Sequence, residues 1–373
     1  YFQYNKGPLS FSHLNGNSDI WLLGGGTRIP ELNNIHNMSA NRLHYDFNSI
    51  SLGFTQLRSN ENHSLTSGPS VDINHDIKGT YLSWAGGFAD LFMEYADKSS
   101  TQKISSFGGA PNDTLKRGYG YYQNINFYFG NWGLSTEYKR YAFDKLQGDI
   151  TANEYGNQIE YQQMPTLAKE HNSTLLGRVS HTYSFNDERG IQIELNGSFM
   201  DLAVSFQYAH LSRNEEWKTN SQNDWFHEPL EGFLPSSDKS SLPYWENYNE
   251  VSGYALNDKL YFKIGHGINR EIIKNLRNFI GHQNDLSSVD TSFVEVYDSL
   301  EWDGTWYYDT TLVPFYDSLF TDDYDVESKL WQQAESFTIP LELNYIFDSG
   351  YSLGLGFQYQ ERKKFNRMQG NAT

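Results

Sequence analysis

The sequence predicts an all-β protein, an antiparallel up-and-down transmembrane β-barrel with short turns at one end and long loops at the other. Three observations carry that reading. A two-residue hydrophobic period recurs along nearly the whole chain, short Gly- and Asn-containing links alternate with long polar stretches, and aromatic residues sit at both ends of the apolar strand faces.

The period is clearest in the second half. Ile191, Ile193, Leu195, Gly197 and Phe199 alternate with Gln192, Glu194, Asn196 and Ser198. Phe337, Ile339, Leu341, Leu343, Tyr345 and Phe347 face one way, and Thr338, Pro340, Glu342 and Asn344 face the other. Tyr351 to Tyr359 repeats the pattern, as do Tyr119 to Phe129, Leu202 to Tyr208, Ile50 to Phe54 and Leu91 to Tyr95. About fifteen strands can be read in this way. The one helix-like stretch, Arg270 to Phe279, is short.

Between strands, Asn48-Ser49, Gly86-Gly87, Gly130-Asn131 and Asp348-Ser349-Gly350 are links whose residues tolerate positive φ and so close tight hairpins. The long polar stretches are Ser59 to His75, Lys98 to Arg117, Asp144 to Ser173 and Asn269 to Gln333. One region breaks the rhythm. His171 to Leu211 reads as three strands joined by short links at Asn186 to Arg189 and at Met200-Asp201, which reverses the parity of every later strand. Either Ser212 to Pro243 hides another strand or a short link lies at the long end.

Alternation alone does not separate a soluble sandwich from a membrane barrel. Aromatic placement does. The apolar faces Phe337 to Phe347, Tyr351 to Tyr359 and Tyr119 to Phe129 begin and end on an aromatic ring. Eight to ten residues at about 3.3 Å each, tilted by about 40°, span roughly 20–25 Å, the depth of an apolar band flanked by aromatic girdles. The opposite faces carry Gly, Ser, Asn, Gln and Glu, as a wet lumen requires. Composition agrees, with 16 % aromatic residues in a chain only 38 % hydrophobic.

The formal charge of -18 repels nucleic acid, and the absence of Cys removes disulfides, thiolate metal sites and cysteine catalysis. The chain opens on Tyr1 without a signal-type apolar segment and stops in polar residues without a closing aromatic. It therefore reads as a mature product or an incomplete chain.

Leu91-Phe92-Met93-Glu94-Tyr95, Lys116-Arg117-Gly118-Tyr119-Gly120, Gly130-Asn131-Trp132-Gly133-Leu134 leading into Lys139-Arg140, and Met164 to His171 resemble recurring segments of an uncharacterised family of outer-membrane β-barrel proteins from Bacteroidota and related Gram-negative bacteria. The resemblance implies an outer-membrane location and no established activity.

Chemistry is sparse. No His-Glu-x-x-His, phosphate loop, Gly-x-Ser-x-Gly or dinucleotide fingerprint is present. Ser180 with His181, and His210 with Ser212, are nominal hydrolase pairs. The first fails because adjacent strand residues face opposite ways.

The most distinctive segment is acidic. Asp285 to Glu327 holds twelve carboxylates without a Lys or Arg, -12 of the formal -18. It forms the core of an acidic, aromatic-rich insertion over 278–333 within a single domain of 1–373. Asp303-Gly304 is placed to turn a hairpin between Phe293 to Trp302 and Thr305 to Val313. Trp302, Trp306, Tyr307, Tyr308, Phe315 and Tyr316 could contact a sugar or a protein partner, while Asp322, Asp323, Asp325 and Glu327 could gather Ca²⁺, although not in a recognised calcium-loop spacing. A solvated loop held by its aromatics is the third reading.

These features point to a non-enzymatic bacterial outer-membrane barrel without a cofactor, acting as pore, transport component or scaffold. Its partners would be lipid and other outer-membrane or surface proteins. The competing readings are a secreted or surface all-β binding protein using 285–327, and an outer-membrane hydrolase.

Overall fold

A computed structural model describes residues 1–24, 27–63, 71–104, 112–142, 167, 187–219, 225–274, 293–302, 305–314 and 331–365. Fourteen strands form one antiparallel sheet in the order β1-β2-β3-β4-β5-β6-β7-β8-β9-β10-β13-β14-β17-β18. The first part comprises β1 (Phe2–Lys6), β2 (Leu9–Gly24), β3 (Thr27–Phe47), β4 (Ile50–His63), β5 (Val71–Ala85), β6 (Ala89–Ile104), β7 (Asn112–Phe129), β8 (Trp132–Ala142) and β9 (Asp187–Phe199). It continues through β10 (Leu202–Ser212), β13 (Tyr244–Ala255), β14 (Leu260–Lys274), β17 (Trp331–Ile346) and β18 (Ser352–Phe365). Two hairpins stand outside it: β11 (Glu215–Thr219) with β12 (Trp225–Pro229), and β15 (Phe293–Trp302) with β16 (Thr305–Pro314). The only helical element among the described residues is one turn at Lys239–Ser241.

The predicted class is what the structure shows: an antiparallel up-and-down sheet of the barrel type, open between β1 and β18. The short links lie at one end with one exception, the β2–β3 hairpin, whose Gly24 pairs with Thr27 at the opposite end. Phe47 pairs with Ile50, Phe129 with Trp132 and Phe199 with Leu202, so each of these hairpins turns in two residues. Asn48 and Gly130 take positive φ, as expected of Asn and Gly, whereas Met200 and Asp201 reach φ 47 and 64 without either. The turn between β13 and β14 uses Leu256, Asn257 and Asp258, all at positive φ.

Three readings are corrected. Asp187 to Arg189 open β9 and are not a link between strands, because Ala142 already pairs with Asp187. The parity break disappears with them, since β8 connects to β9 through a long segment. Ser212 to Pro243 does hold strands, but they pair only with each other as β11 and β12 and leave the main parity unchanged. Arg270 to Lys274 belong to β14, paired with Trp331 to Glu335, and so are not helical.

The two faces have opposite polarity, and the polar one is sheltered. On β4, Leu52 and Phe54 are 49 % and 45 % exposed, while Ser59 and Glu61 on the other face are 3 % and 0 %. The same inversion holds on β17, where Phe337, Ile339, Leu341 and Leu343 are partly exposed and Ser336, Thr338 and Pro340 are buried. We call these the outer and inner faces. Glycines lock neighbouring strands by letting a ring lie on the adjacent backbone. A Cβ at Gly53 would stand 1.9 Å from Tyr81 Cε1, its direct partner across β4 and β5, and one at Gly197 would stand 2.3 Å from the Trp132 indole.

Gly53→Ala should therefore displace Tyr81 and lower stability by about 1–3 kcal/mol. Urea unfolding in detergent measures this, and the loss should shrink in a Tyr81→Ala background.

Candidate functional site

The inner face is where the buried polar groups converge, and it has three parts. At the short-turn end, β3, β4 and β5 bring together Arg42, His44, Asp46, Ser51 and Tyr81 through cross-strand registry. Arg42 donates to the Tyr81 hydroxyl at 3.1 Å, and that hydroxyl lies 2.5 Å from His44 Nδ1. His44 Nε2 lies 2.9 Å from Asp46 Oδ2, and Ser51 Oγ donates to Asp46 Oδ1 at 2.5 Å. Because a carboxylate only accepts, Nε2 carries a proton, and in a neutral ring Nδ1 then accepts from Tyr81. The chain of bonds fixes the orientation of every member. Aromatic rings continue it around the wall, His44 on Tyr81 at 5.9 Å, Tyr81 on Phe92 at 6.2 Å and Phe92 on Tyr122 at 6.2 Å.

At the long-connection end, β4, β5 and β6 align Glu61, His75 and Ser100. His75 Nε2 is 3.1 Å from Glu61 Oε1, and Nδ1 is 2.8 Å from Ser100 Oγ. The order carboxylate, imidazole, hydroxyl is that of a nucleophile relay with the two ring nitrogens exchanged. Glu61 and Ser100 are both 0 % exposed, so an acyl group has no access to Oγ in this arrangement. What the trio does here is satisfy three buried polar groups at once.

The third part is acidic. From β8 to β17 the inner face carries Glu137, Glu188, Glu194, Glu246, Glu250, Glu271 and Glu342, accompanied by Lys139, 2.5 Å from Glu188, and Lys263, 3.1 Å from Glu342. Several carboxylates have neutral donors: Tyr122 donates to Glu137, Tyr244 to Glu246 and Tyr248 to Glu250. Above them Leu167, from the connection between β8 and β9, is fully buried with Ala209, Leu211 and Tyr244. Gly190 makes room for it, since a Cβ there would stand 2.9 Å from Leu167 Cδ1. Gln207, between Glu194 and Tyr248 in register, is 0 % exposed, and neither end of its amide has a hydrogen-bond partner among the described residues.

The residues singled out from sequence fall elsewhere. The hairpin expected between Phe293 to Trp302 and Thr305 to Val313 is present, with Trp302 paired to Thr305, Glu301 to Trp306, Leu300 to Tyr307 and Ser299 to Tyr308, while Asp303 and Gly304 lie outside the described residues. Phe315, Tyr316 and the calcium candidates Asp322, Asp323, Asp325 and Glu327 lie outside the described residues, as do Ser180 and His181. His210 and Ser212 share the outer face of β10, but Ser212 Oγ donates to the Arg213 carbonyl and accepts from Ser236 N–H, so it is not held by His210. Among the described residues no group of three or more His, Asp or Glu is placed to hold a metal ion. The inner-face clusters escape a sequence reading because each joins strands through registry. Glu61, His75 and Ser100 have no shared spacing that marks them.

Gln207→Met should raise stability by about 1 kcal/mol or more, since it removes an unsatisfied buried amide while keeping volume. The shift in the urea midpoint at unchanged m-value measures it.

A comparison with curated proteins finds no sequence match. Among solved structures, the FrpB iron transporter from Neisseria meningitidis is similar at 8 % identity and TM-score 0.38, over 97 % of this chain and 58 % of that one. The siderophore receptor PirA from Pseudomonas aeruginosa matches at 8 % identity and TM-score 0.30, over 96 % of this chain and 67 % of that one. The outer membrane transporter YddB from Escherichia coli matches at 9 % and 0.29, over 96 % and 66 %. The chain thus spans little more than half the length of the FrpB transporter. All the segments that carried the sequence resemblance lie within 18–209, the residues matched by the model of a family of unknown function, DUF6029, and since that match covers just over half of the chain, the protein belongs to this family.

Proposed function

We propose that the protein is a bacterial outer-membrane β-barrel component, non-enzymatic and without a cofactor, that provides a pore, a transport path or a scaffold. One observation carries this reading: the sheet is apolar on its exposed face and polar on its sheltered face. In water the exposed rows Leu43, Tyr45 and Phe47 on β3 and Ile50, Leu52 and Phe54 on β4 would form a contiguous apolar patch with nothing to cover it. In lipid the same rows are matched to their solvent, and the antiparallel ladder satisfies the backbone groups that lipid cannot. The acidic inner wall favours passage or binding of cations over anions.

The protein should fractionate with outer membranes, leave them only with detergent, and migrate differently on gels before and after heating. Purified protein in planar bilayers should conduct with cation preference. A chain monodisperse without detergent contradicts the membrane reading, and an absence of conductance favours the scaffold.

A second reading, partner binding through the acidic hairpin, has one observation behind it: among the described residues β15 and β16 pair only with each other. Deleting 290–325 should then abolish capture of a surface partner while leaving heat-modifiable migration intact. Loss of the gel shift would make the hairpin part of the fold instead.

A further inference from the structure

The outer face of β9 carries a charge where lipid would be expected. Arg189 occupies the same face as Ile191, Ile193 and Leu195, and it pairs with Arg140 on the outer face of β8. An ionised group on a lipid-facing row is costly. Yet Arg189 is fully buried, and its guanidinium donates to four oxygens: Asn214 Oδ1 at 2.8 Å, the Asn214 carbonyl at 3.1 Å, the Leu230 carbonyl at 3.2 Å and the Gly232 carbonyl at 2.9 Å. All belong to the connection between β10 and β13. That connection is itself pinned to the sheet, with the Asn214 backbone N–H donating to Asp187 Oδ1 at 2.9 Å and Asn214 Nδ2 to the Tyr141 carbonyl at 2.6 Å.

The same connection lies on Tyr138, the next outer-face residue on β8 below Arg140. The Tyr138 ring stacks on Phe233 at 4.0 Å and 13°, and its hydroxyl donates to the Phe233 carbonyl at 2.7 Å. Tyr138 stands six residues above Trp132, where β8 leaves the short turn. At about 3.3 Å per residue and a tilt of about 40°, that is roughly 15 Å above the turn, well inside a band about 25 Å tall. Phe233 and Leu234 are nevertheless 54 % and 64 % exposed.

We propose that Leu230 to Ser236 form a lipid-facing cover. Arg189 organises the carbonyls beneath it, and Phe233 and Leu234 present a new apolar surface to lipid acyl chains, restoring the belt that the arginine would interrupt. The occupant is lipid because this surface is continuous with the outer rows of β8 and β9 through Tyr138 and Ile191, which pair directly. The inference rests on the membrane reading above.

The chain has no Cys, so a single thiol can be placed at will. Full-length Leu234→Cys, Leu52→Cys and Ser237→Cys, each carrying an environment-sensitive fluorophore, are reconstituted in phosphatidylcholine vesicles. Nitroxides on the acyl chains and a water-soluble nickel chelate serve as quenchers. The proposal expects acyl-chain nitroxide to remove emission at 234 as fully as at 52 and far more than at 237. Quenching of 234 by the nickel chelate, with 52 still quenched from the lipid, overturns the cover and leaves the membrane reading standing. Protection of 234 from both quenchers means a second copy of the chain covers it, which also overturns the proposal. Aqueous quenching of 52 removes the membrane reading and the cover together.

Discussion

The constraint on which the rest depends is the pairing of each interior strand of the sheet, β2 to β17, with two neighbours while its side chains alternate between two faces. Because successive residues point to opposite faces, a strand cannot choose its exposure residue by residue; it can only assign one parity to each side. Here the odd positions of β17 and the even positions of β4 take the exposed apolar side, and the registry of fourteen strands keeps those rows continuous. A slip of one residue in any pair would turn Glu61 or Thr338 outward and Phe54 or Phe337 inward. The sheltered polar face, the ring-on-glycine contacts and the buried clusters all depend on that common registry.

The inner face shows what such a wall does with its polar groups. Near the short turns, Arg42, Tyr81, His44 and Asp46 form an ordered chain in which each donor has a single acceptor. Farther up, His75 joins Glu61 and Ser100 beneath full burial. Between β8 and β17 the wall is acidic, and Gln207 is left without a partner among it. The first two arrangements stiffen the wall, because each ties three adjacent strands through side chains as well as through the ladder. The acidic part gives that stretch of the wall its negative charge. The outer face meets its own difficulty at Arg189, whose charge is enclosed by carbonyls of a connection from outside the sheet.

Much of the architecture is legible in the sequence, for a physical reason. Period-two alternation and Gly or Asn at a two-residue link are local signals, so Phe337 to Phe347 and the turns at Asn48 and Gly130 are readable without tertiary information. The hairpin at Asp303-Gly304 is readable for the same reason. Strand ends are not, because β4 runs to His63 through Arg58 to Asn62, polar residues whose incentive is the neighbouring ladder. The short link at Met200-Asp201 is readable, but the positive φ of Met200 within it is not. The inner clusters are illegible for a stronger reason: His75 meets Ser100 across 25 residues, a meeting that only strand registry sets, and on the outer face Arg189 meets Gly232 across 43 through a connection outside the sheet.

The central claim is that the exposed apolar rows are solvated by lipid and the sheltered polar rows are not. A scan of single cysteines across 336–346 on β17, with a spin label at each and the protein in vesicles, measures it most directly. The account predicts oxygen accessibility that peaks at 337, 339, 341, 343 and 345 and falls at the positions between, a strict period of two in phase with the side chains. An accessibility profile without that period, or one peaking at 336, 338 and 342, would contradict it.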